Sequence, residues 1–117
     1  MEILLWGVIN IDLYTTLEEL KNDLNTSIKS LRITATEYAE AYKNYRVLLA
    51  KKLLQLRNDG MPITLASDIA RGDEDIASAK MVEIKKEAIY KANQESINAI
   101  KLQIKVVENQ ITREIGL

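Results

Sequence analysis

Apolar residues recur along most of this chain at alternating intervals of three and four, the spacing of a helix that packs against another helix. In the first periodic stretch the spacing is unbroken from Leu24 to Leu49. Its apolar positions are Leu17, Leu24, Ile28, Leu31, Ala35, Tyr38, Tyr42, Tyr45, Leu49 and Leu56. Those of the second stretch are Ala77, Met81, Ile84, Ala88, Ala92, Ile97, Ile100, Ile104, Val107, Ile111 and Ile115. Both stretches predict long helices with coiled-coil-like seams.

The start and end of the first helix follow from capping residues. Thr15 and Thr16 each precede a glutamate by three residues, which gives two overlapping capping boxes. Gly60 suits the left-handed conformation that ends many helices. We therefore predict the first helix over residues 15–59.

A connection separates this helix from the second one. Pro62 prevents simple continuation of the helix, so residues 60–72 are predicted to connect the two, with Thr64 capping a short helix inside the connection. Three apolar side chains there are expected to plug the open end of the hairpin: Ile63, Leu65 and Ile69. Acidic residues from Asp73 onward suit a helix N-terminus, and the second helix is predicted over 73–116.

The first residues follow a different pattern. Residues 1–14 are apolar at both odd and even positions, which is typical of a buried strand or an extended arm. We predict an apolar N-terminal arm docked on the helices. Pairing with a copy of itself, or an earlier start of the first helix, are the alternatives.

The predicted fold is all-α, a long antiparallel helical hairpin. Two helices bury only one seam each, which is a small core for so much ordered backbone. Further apolar positions widen both stripes: Ile33, Val47, Leu48, Leu54, Val82, Ile89, Leu102 and Val106. A homodimer forming a four-helix bundle would bury them, and a monomeric hairpin or a higher oligomer are the alternatives.

Composition narrows the possible chemistry. The 117 residues include no Cys and no His, which removes thiolate and imidazole nucleophiles, bases and metal ligands. The net charge of −1 provides no overall attraction to nucleic acid or to membranes, and no apolar run is long enough to span a bilayer. We expect a non-enzymatic cytoplasmic protein without a cofactor.

Two surfaces are candidates for binding a protein partner. Tyr38, Tyr42 and Tyr45 recur at the spacing of one helix face, and tyrosine is favoured where one end of the side chain stays in water. A packed core is the other interpretation of this face. The connection combines apolar and acidic residues in an exposed position, and its candidate residues are Met61, Ile63, Leu65 and Asp68.

A basic segment offers a different function. Lys43, Arg46, Lys51 and Lys52 lie in a stretch without any acid and alternate with tyrosines, a pattern that can hold single-stranded DNA by charge and stacking. The same cations also suit the C-terminal end of a helix, where they would lie beside the acids around Asp73.

The connection also resembles a known type of protein. From Gly60 to Asp73, with Ile76, Ala77 and Tyr90, the sequence is similar to small helical proteins of temperate phages of Gram-positive bacteria. In those proteins two helices flank a connection of the form G-x-P-x-T-L…D-x-x-x-G. The resemblance covers roughly residues 30–115 and implies an accessory protein expressed early in infection.

The resemblance implies no activity and identifies no site residues. It raises two roles: binding and blocking a host factor or a bacterial defence system, an anti-CRISPR-like role included, or assisting phage recombination and replication. We expect the first role, with a host or phage protein as partner. Binding of single-stranded DNA and a structural phage component are the alternatives.

Overall fold

The computed structural model describes the backbone of residues 2–116 and the side chains of residues 12–116. It contains three helices: α1 (Glu2–Asn58), α2 (Ile63–Gly72) and α3 (Glu74–Glu114). No strand occurs within this described part of the chain. The all-α prediction is confirmed, and α2 lies between the two long helices.

The first helix begins earlier than predicted. Because α1 starts at Glu2, the expected extended conformation of the N-terminal segment is wrong, and residues 2–14 continue the helix. A short apolar run without Pro does not distinguish a buried strand from a helix. Thr16 accordingly does not cap a helix, since its hydroxyl donates a hydrogen bond to the carbonyl of Asp12 at 2.9 Å. The place where the predicted arm packs lies outside the described side chains.

Helix α1 ends in a Schellman motif. Gly60 has a φ of 88°, a backbone conformation that residues other than glycine rarely adopt. Its N–H donates to the carbonyl of Arg57 at 3.0 Å, and the N–H of Met61 donates to that of Leu56 at 3.1 Å. Two carbonyls that the helix end leaves open are thereby satisfied, as expected of a glycine at this position.

Helix α2 begins at Ile63, one residue before the predicted cap. Pro62 occupies the N-cap position, and its carbonyl accepts a hydrogen bond from Ala66 at 2.9 Å. Thr64 therefore lies in the first turn and is not the cap. Proline suits this place because its fixed φ is compatible with a helix start and it needs no hydrogen-bond partner for an N–H.

The chain divides into two compact units. Unit 1 contains the residues up to Leu31 and those from Ala92 onward. Its core is formed by Leu17, Val107 and Ile111, which are 7–8% exposed, with Leu13, Leu20 and Ile104 packed against them. The side-chain amide of Asn93 donates to the carbonyl of Ser27 at 3.3 Å. These pairs show that α1 and α3 run antiparallel within unit 1.

Unit 2 spans Arg32–Lys91 and contains the rest of α1, all of α2 and the start of α3. Its helices are also antiparallel, because Glu37 is paired with Lys86 at 2.9 Å and Lys52 with Asp73 at 3.4 Å. Its buried residues are mostly small: Ala41, Ala66, Ala70, Ile76, Ala79 and Glu83. The expected plug is wrong, since Ile63 is 64% exposed and Ala66 and Ala70 fill the space instead.

Helix α3 does not use the predicted stripe in unit 2. The inward positions are Ile76, Ala79, Glu83 and Tyr90, whereas Met81 and Ile84 are 57% and 55% exposed. Ile76, Glu83 and Tyr90 are spaced by seven residues along the sequence. The stripe from Ala77 to Ala92 therefore faces outward.

Candidate functional site

The three tyrosines of α1 do not form one exposed face. Tyr38 and Tyr45 are half-buried against α3, while Tyr42 is 48% exposed. The ring of Tyr38 lies 5.9 Å from that of Tyr90, and the ammonium of Lys80 lies 4.8 Å from the ring centre of Tyr45. Tyr38 and Tyr45 thus belong to the packing of unit 2, and Tyr42 is the most exposed of the three.

A polar layer surrounds these rings. Glu83 is 4% exposed and accepts a hydrogen bond from Lys80 at 2.9 Å, and Lys91 is paired with Glu87 at 2.6 Å. Desolvation raises the pKa of Tyr38, and the negative charges of Glu87 and Glu83 add to this effect. The hydrogen bond from Lys91 lowers the pKa of Glu87. Each of these carboxylates is matched by a lysine, so the layer is an ion-pair network.

The candidate residues of the connection split into two groups. Met61 is half-buried, and its carbonyl accepts a hydrogen bond from the guanidinium of Arg57 at 3.0 Å. Ile63, Leu65 and Asp68 are exposed, with Leu65 at 50%. The N-terminal and outer sides of α2 therefore present apolar side chains to solvent.

A groove opens in unit 2. Its volume is 660 Å³, and its lining consists of Tyr45, Arg71, Ile76, Ala77, Lys80, Met81, Ile84 and Lys85. Sequence reasoning named Tyr45 but missed the cations and assigned Met81 and Ile84 to the seam with the first helix. The apolar residues of the outward stripe are separated by four, three and four residues. This spacing is typical of a helix surface that packs against another helix, and it could have indicated the groove.

A second groove lies in unit 1. It has a volume of 450 Å³ and is lined by Thr16, Leu20, Leu102, Gln103, Val106 and Val107. Leu102 and Val106 are 64% and 52% exposed. None of these lining side chains is charged, in contrast to the groove of unit 2.

The basic candidates are spread around α1. At about 100° per residue, Lys43 and Arg46 lie about 60° apart, whereas Lys52 lies on the opposite side from Lys43. Lys52 is also paired with Asp73, and Lys51 and Lys52 share a surface with Asp73 and Asp75. The expected pairing of this end of α1 with the acids of the next helix is confirmed for Lys52. The four cations form no single stripe.

Metal binding and membrane insertion each require further features. Within the described side chains, no three carboxylates come together as ligands for a metal ion. In the described part of the chain, no helix combines the length and the apolar character needed to cross a membrane.

The comparisons with known proteins found no match for this chain. No protein-family model matches it, and neither a curated protein nor a solved structure is significantly similar to it. The resemblance to small phage proteins therefore stays a prediction from the residues from Gly60 to Asp73, with Ile76, Ala77 and Tyr90.

Proposed function

We propose that this chain is a non-enzymatic binding protein that acts by forming a stoichiometric complex with another protein. The observation that carries the proposal is the polarity of α3 in unit 2. Its buried side includes Glu83, at 4% exposed, while its outer side presents Met81 and Ile84. A helix that presents large apolar side chains on its outer side as well as on its inner side is suited to a further partner.

The surface that would bind the partner consists of side chains from α2 and from α3. Ile63, Leu65 and Ile69 of α2 are 64%, 50% and 42% exposed, and they add to the two apolar residues of α3. We call these five side chains the outer surface of unit 2. Where exposed aliphatic side chains form a contiguous patch, they mark protein interaction sites.

The resemblance of the connection to small phage proteins suggests a class of partner. That class is a host factor or part of a bacterial defence system, which binding would inhibit. Such an inhibitor needs affinity and shape but no catalytic group. The ion-pair network of unit 2, in which each carboxylate has a lysine partner, is compatible with a purely structural role for its acids.

The test is capture of the partner by the tagged full chain from nuclease-treated lysate of a Gram-positive host. We expect one protein at near-stoichiometric yield. The variant Leu65→Asp/Ile84→Asp, altered once on α2 and once on α3 at half-exposed positions, should lose it. Ile33→Asp is the matched control, because Ile33 is 61% exposed and lies on α1, outside the outer surface.

The outcomes separate the candidate functions. Equal capture by the wild-type chain and the double variant would show that the outer surface is not the binding site. Retention only while nucleic acid is intact would favour the single-stranded DNA alternative. In that case Lys51→Glu should weaken binding and added salt should abolish it.

We further propose that the chain forms a homodimer, arranged as a four-helix bundle. The chain has 8688 Å² of accessible surface. A compact monomer of 13.3 kDa has about 6,500 Å². The difference exceeds the roughly 800 Å² that each partner buries in a standard interface. The uncharged groove of unit 1 suits a second copy, because homodimer interfaces are more apolar and poorer in charge than other surfaces.

A further inference from the structure

The outward stripe of α3 has the spacing of a coiled-coil seam. Ala77, Met81, Ile84 and Ala88 are separated by four, three and four residues, and all four are exposed. This alternation places them at the d, a, d and a positions of a heptad. The small side chains at both ends of the stripe permit close approach of another helix around the two large ones.

Two of the positions that flank this stripe are basic. With Met81 at a and Ile84 at d, Lys80 occupies the preceding g position and Lys85 the following e position. These are the positions whose charges select the partner of a coiled coil. Arg71 of α2 supplies a third cation, and no carboxylate is among the described residues that line the groove. A chain of net charge −1 therefore presents a locally cationic groove.

Two of the three cations are available to a ligand. Lys80 is held by Glu83 and lies over the ring of Tyr45. Arg71 and Lys85 make no ion pair among the residues that the structure describes. Their charges remain uncompensated beside an apolar floor.

We propose that this groove binds one amphipathic helix of the partner protein, with large aliphatic residues at heptad spacing and Asp or Glu at the flanking positions. The bound helix would pack on Met81 and Ile84, and its acids would pair with Arg71 and Lys85. This inference deepens the proposed function and rests on it, since it specifies what part of the partner binds and by which chemistry.

The dimensions of the groove favour a helix over other ligands. Its floor runs from Ile76 to Ile84 along one helix, about 12 Å or roughly two turns. An extended peptide would find no free backbone groups on a helical surface to pair with. A fatty acid would require a more enclosed cavity, because small-molecule sites bury most of their ligand and Met81 is 57% exposed here.

Two designed peptides test the proposal on the full-length chain. Both carry leucine at a and d over about three heptads, a length that allows a stable helix. One has glutamate at e and g, and the other has lysine there. Fluorescence anisotropy of the labelled peptides should show at least about tenfold tighter binding of the glutamate peptide, with the difference reduced by added salt.

Charge reversal locates the contact. Lys85→Glu should weaken binding of the glutamate peptide about tenfold or more and improve binding of the lysine peptide. The matched control is Lys105→Glu, an exposed lysine of the same helix in unit 1, which should change neither. Circular dichroism of both variants checks that their helix content equals that of the wild-type chain.

The proposal is overturned if the two peptides bind equally, if neither binds, or if Lys85→Glu has no more effect than Lys105→Glu. Displacement of the bound glutamate peptide by oleate at stoichiometric concentration would likewise overturn it in favour of a small anionic amphiphile. If the peptides fail while the outer-surface variant still loses its captured partner, the proposed function stands and only the helix in the groove is rejected.

Discussion

At the scale of single residues, the half-buried Asp73 connects two helices of unit 2. Its Oδ1 accepts hydrogen bonds from the backbone N–H groups of Asp75 at 3.1 Å and Ile76 at 3.3 Å, and its Oδ2 pairs with Lys52 at 3.4 Å. One carboxylate thus caps α3 and also ties it to α1 within unit 2. The hydrogen bond from Ile76, followed by Lys52, lowers the pKa of Asp73 below 3.8.

The lowered pKa predicts a dependence of stability on pH. A carboxylate with a depressed folded-state pKa stabilises the fold above its unfolded pKa, and this contribution is lost as the pH falls through the folded value. The loss should therefore occur below pH 3.8. In urea unfolding, Asp73→Asn should have a lower midpoint than the wild-type chain at pH 7, and the difference should disappear under acid conditions.

The control for this prediction is Asp68→Asn. Asp68 is exposed and forms no ion pair among the described residues. We expect the wild-type midpoint and the wild-type pH dependence from this variant. A difference between Asp73→Asn and the wild-type chain that stayed constant with pH would refute the assignment, because it would mean that the charge of Asp73 contributes nothing.

At the scale of elements, the register of α3 decides which side chains unit 2 offers to a partner. The helix carries two adjacent stripes there, one through Ile76 and Ala79 and one through Met81 and Ile84. The first is buried, with Ile76 at 3% exposed, and the second is outside. The carboxylate of Glu83 can be buried in the first stripe because Lys80 donates a hydrogen bond to it.

This register predicts unequal effects of two identical truncations. Ile76→Ala should lower the free energy of unfolding by about 2 kcal/mol or more, because it removes a buried side chain and leaves a cavity. Ile84→Ala should change it by less than about 0.5 kcal/mol, since Ile84 is 55% exposed. Urea unfolding monitored by circular dichroism gives both values. A larger loss for Ile84→Ala would mean that the stripe from Ala77 to Ala92 packs against α1 after all.

At the scale of the whole molecule, the two grooves differ in chemistry. The groove of unit 1 is lined by uncharged side chains, whereas that of unit 2 contains Arg71, Lys80 and Lys85. Self-association through the first should therefore tolerate salt, while partner binding at the second should weaken with it. The proposed assignments give each unit a separate interaction.

Sedimentation equilibrium tests the assignment of the dimer. We expect a mass of twice 13.3 kDa for the wild-type chain, with little change in high salt. Leu102→Asp/Val106→Asp places two charges in the apolar groove of unit 1 and should yield the monomer. Met81→Asp, the control on the outer surface of unit 2, should remain dimeric. A monomeric wild-type chain, or dissociation by Met81→Asp alone, would reject this interface.

Several features of the fold depend on local sequence and were predictable for that reason. The helical class follows from heptad spacing, and the break after α1 follows from Gly60, whose positive φ few other residues tolerate. The isoleucine seam from Ile97 to Ile111 was also correctly predicted. In each case the cause lies within a few residues of its effect.

Other features were decided only by tertiary structure. Periodicity shows that a stripe exists but not which neighbour covers it, so the sequence alone did not distinguish the buried stripe of α3 from the outward one. The choice depends on contacts within unit 2, such as the ion pair of Glu37 with Lys86, which join residues far apart in the chain. The groove of unit 2 also depends on tertiary structure, because its lining residues Tyr45, Arg71 and Ile84 come from three different helices.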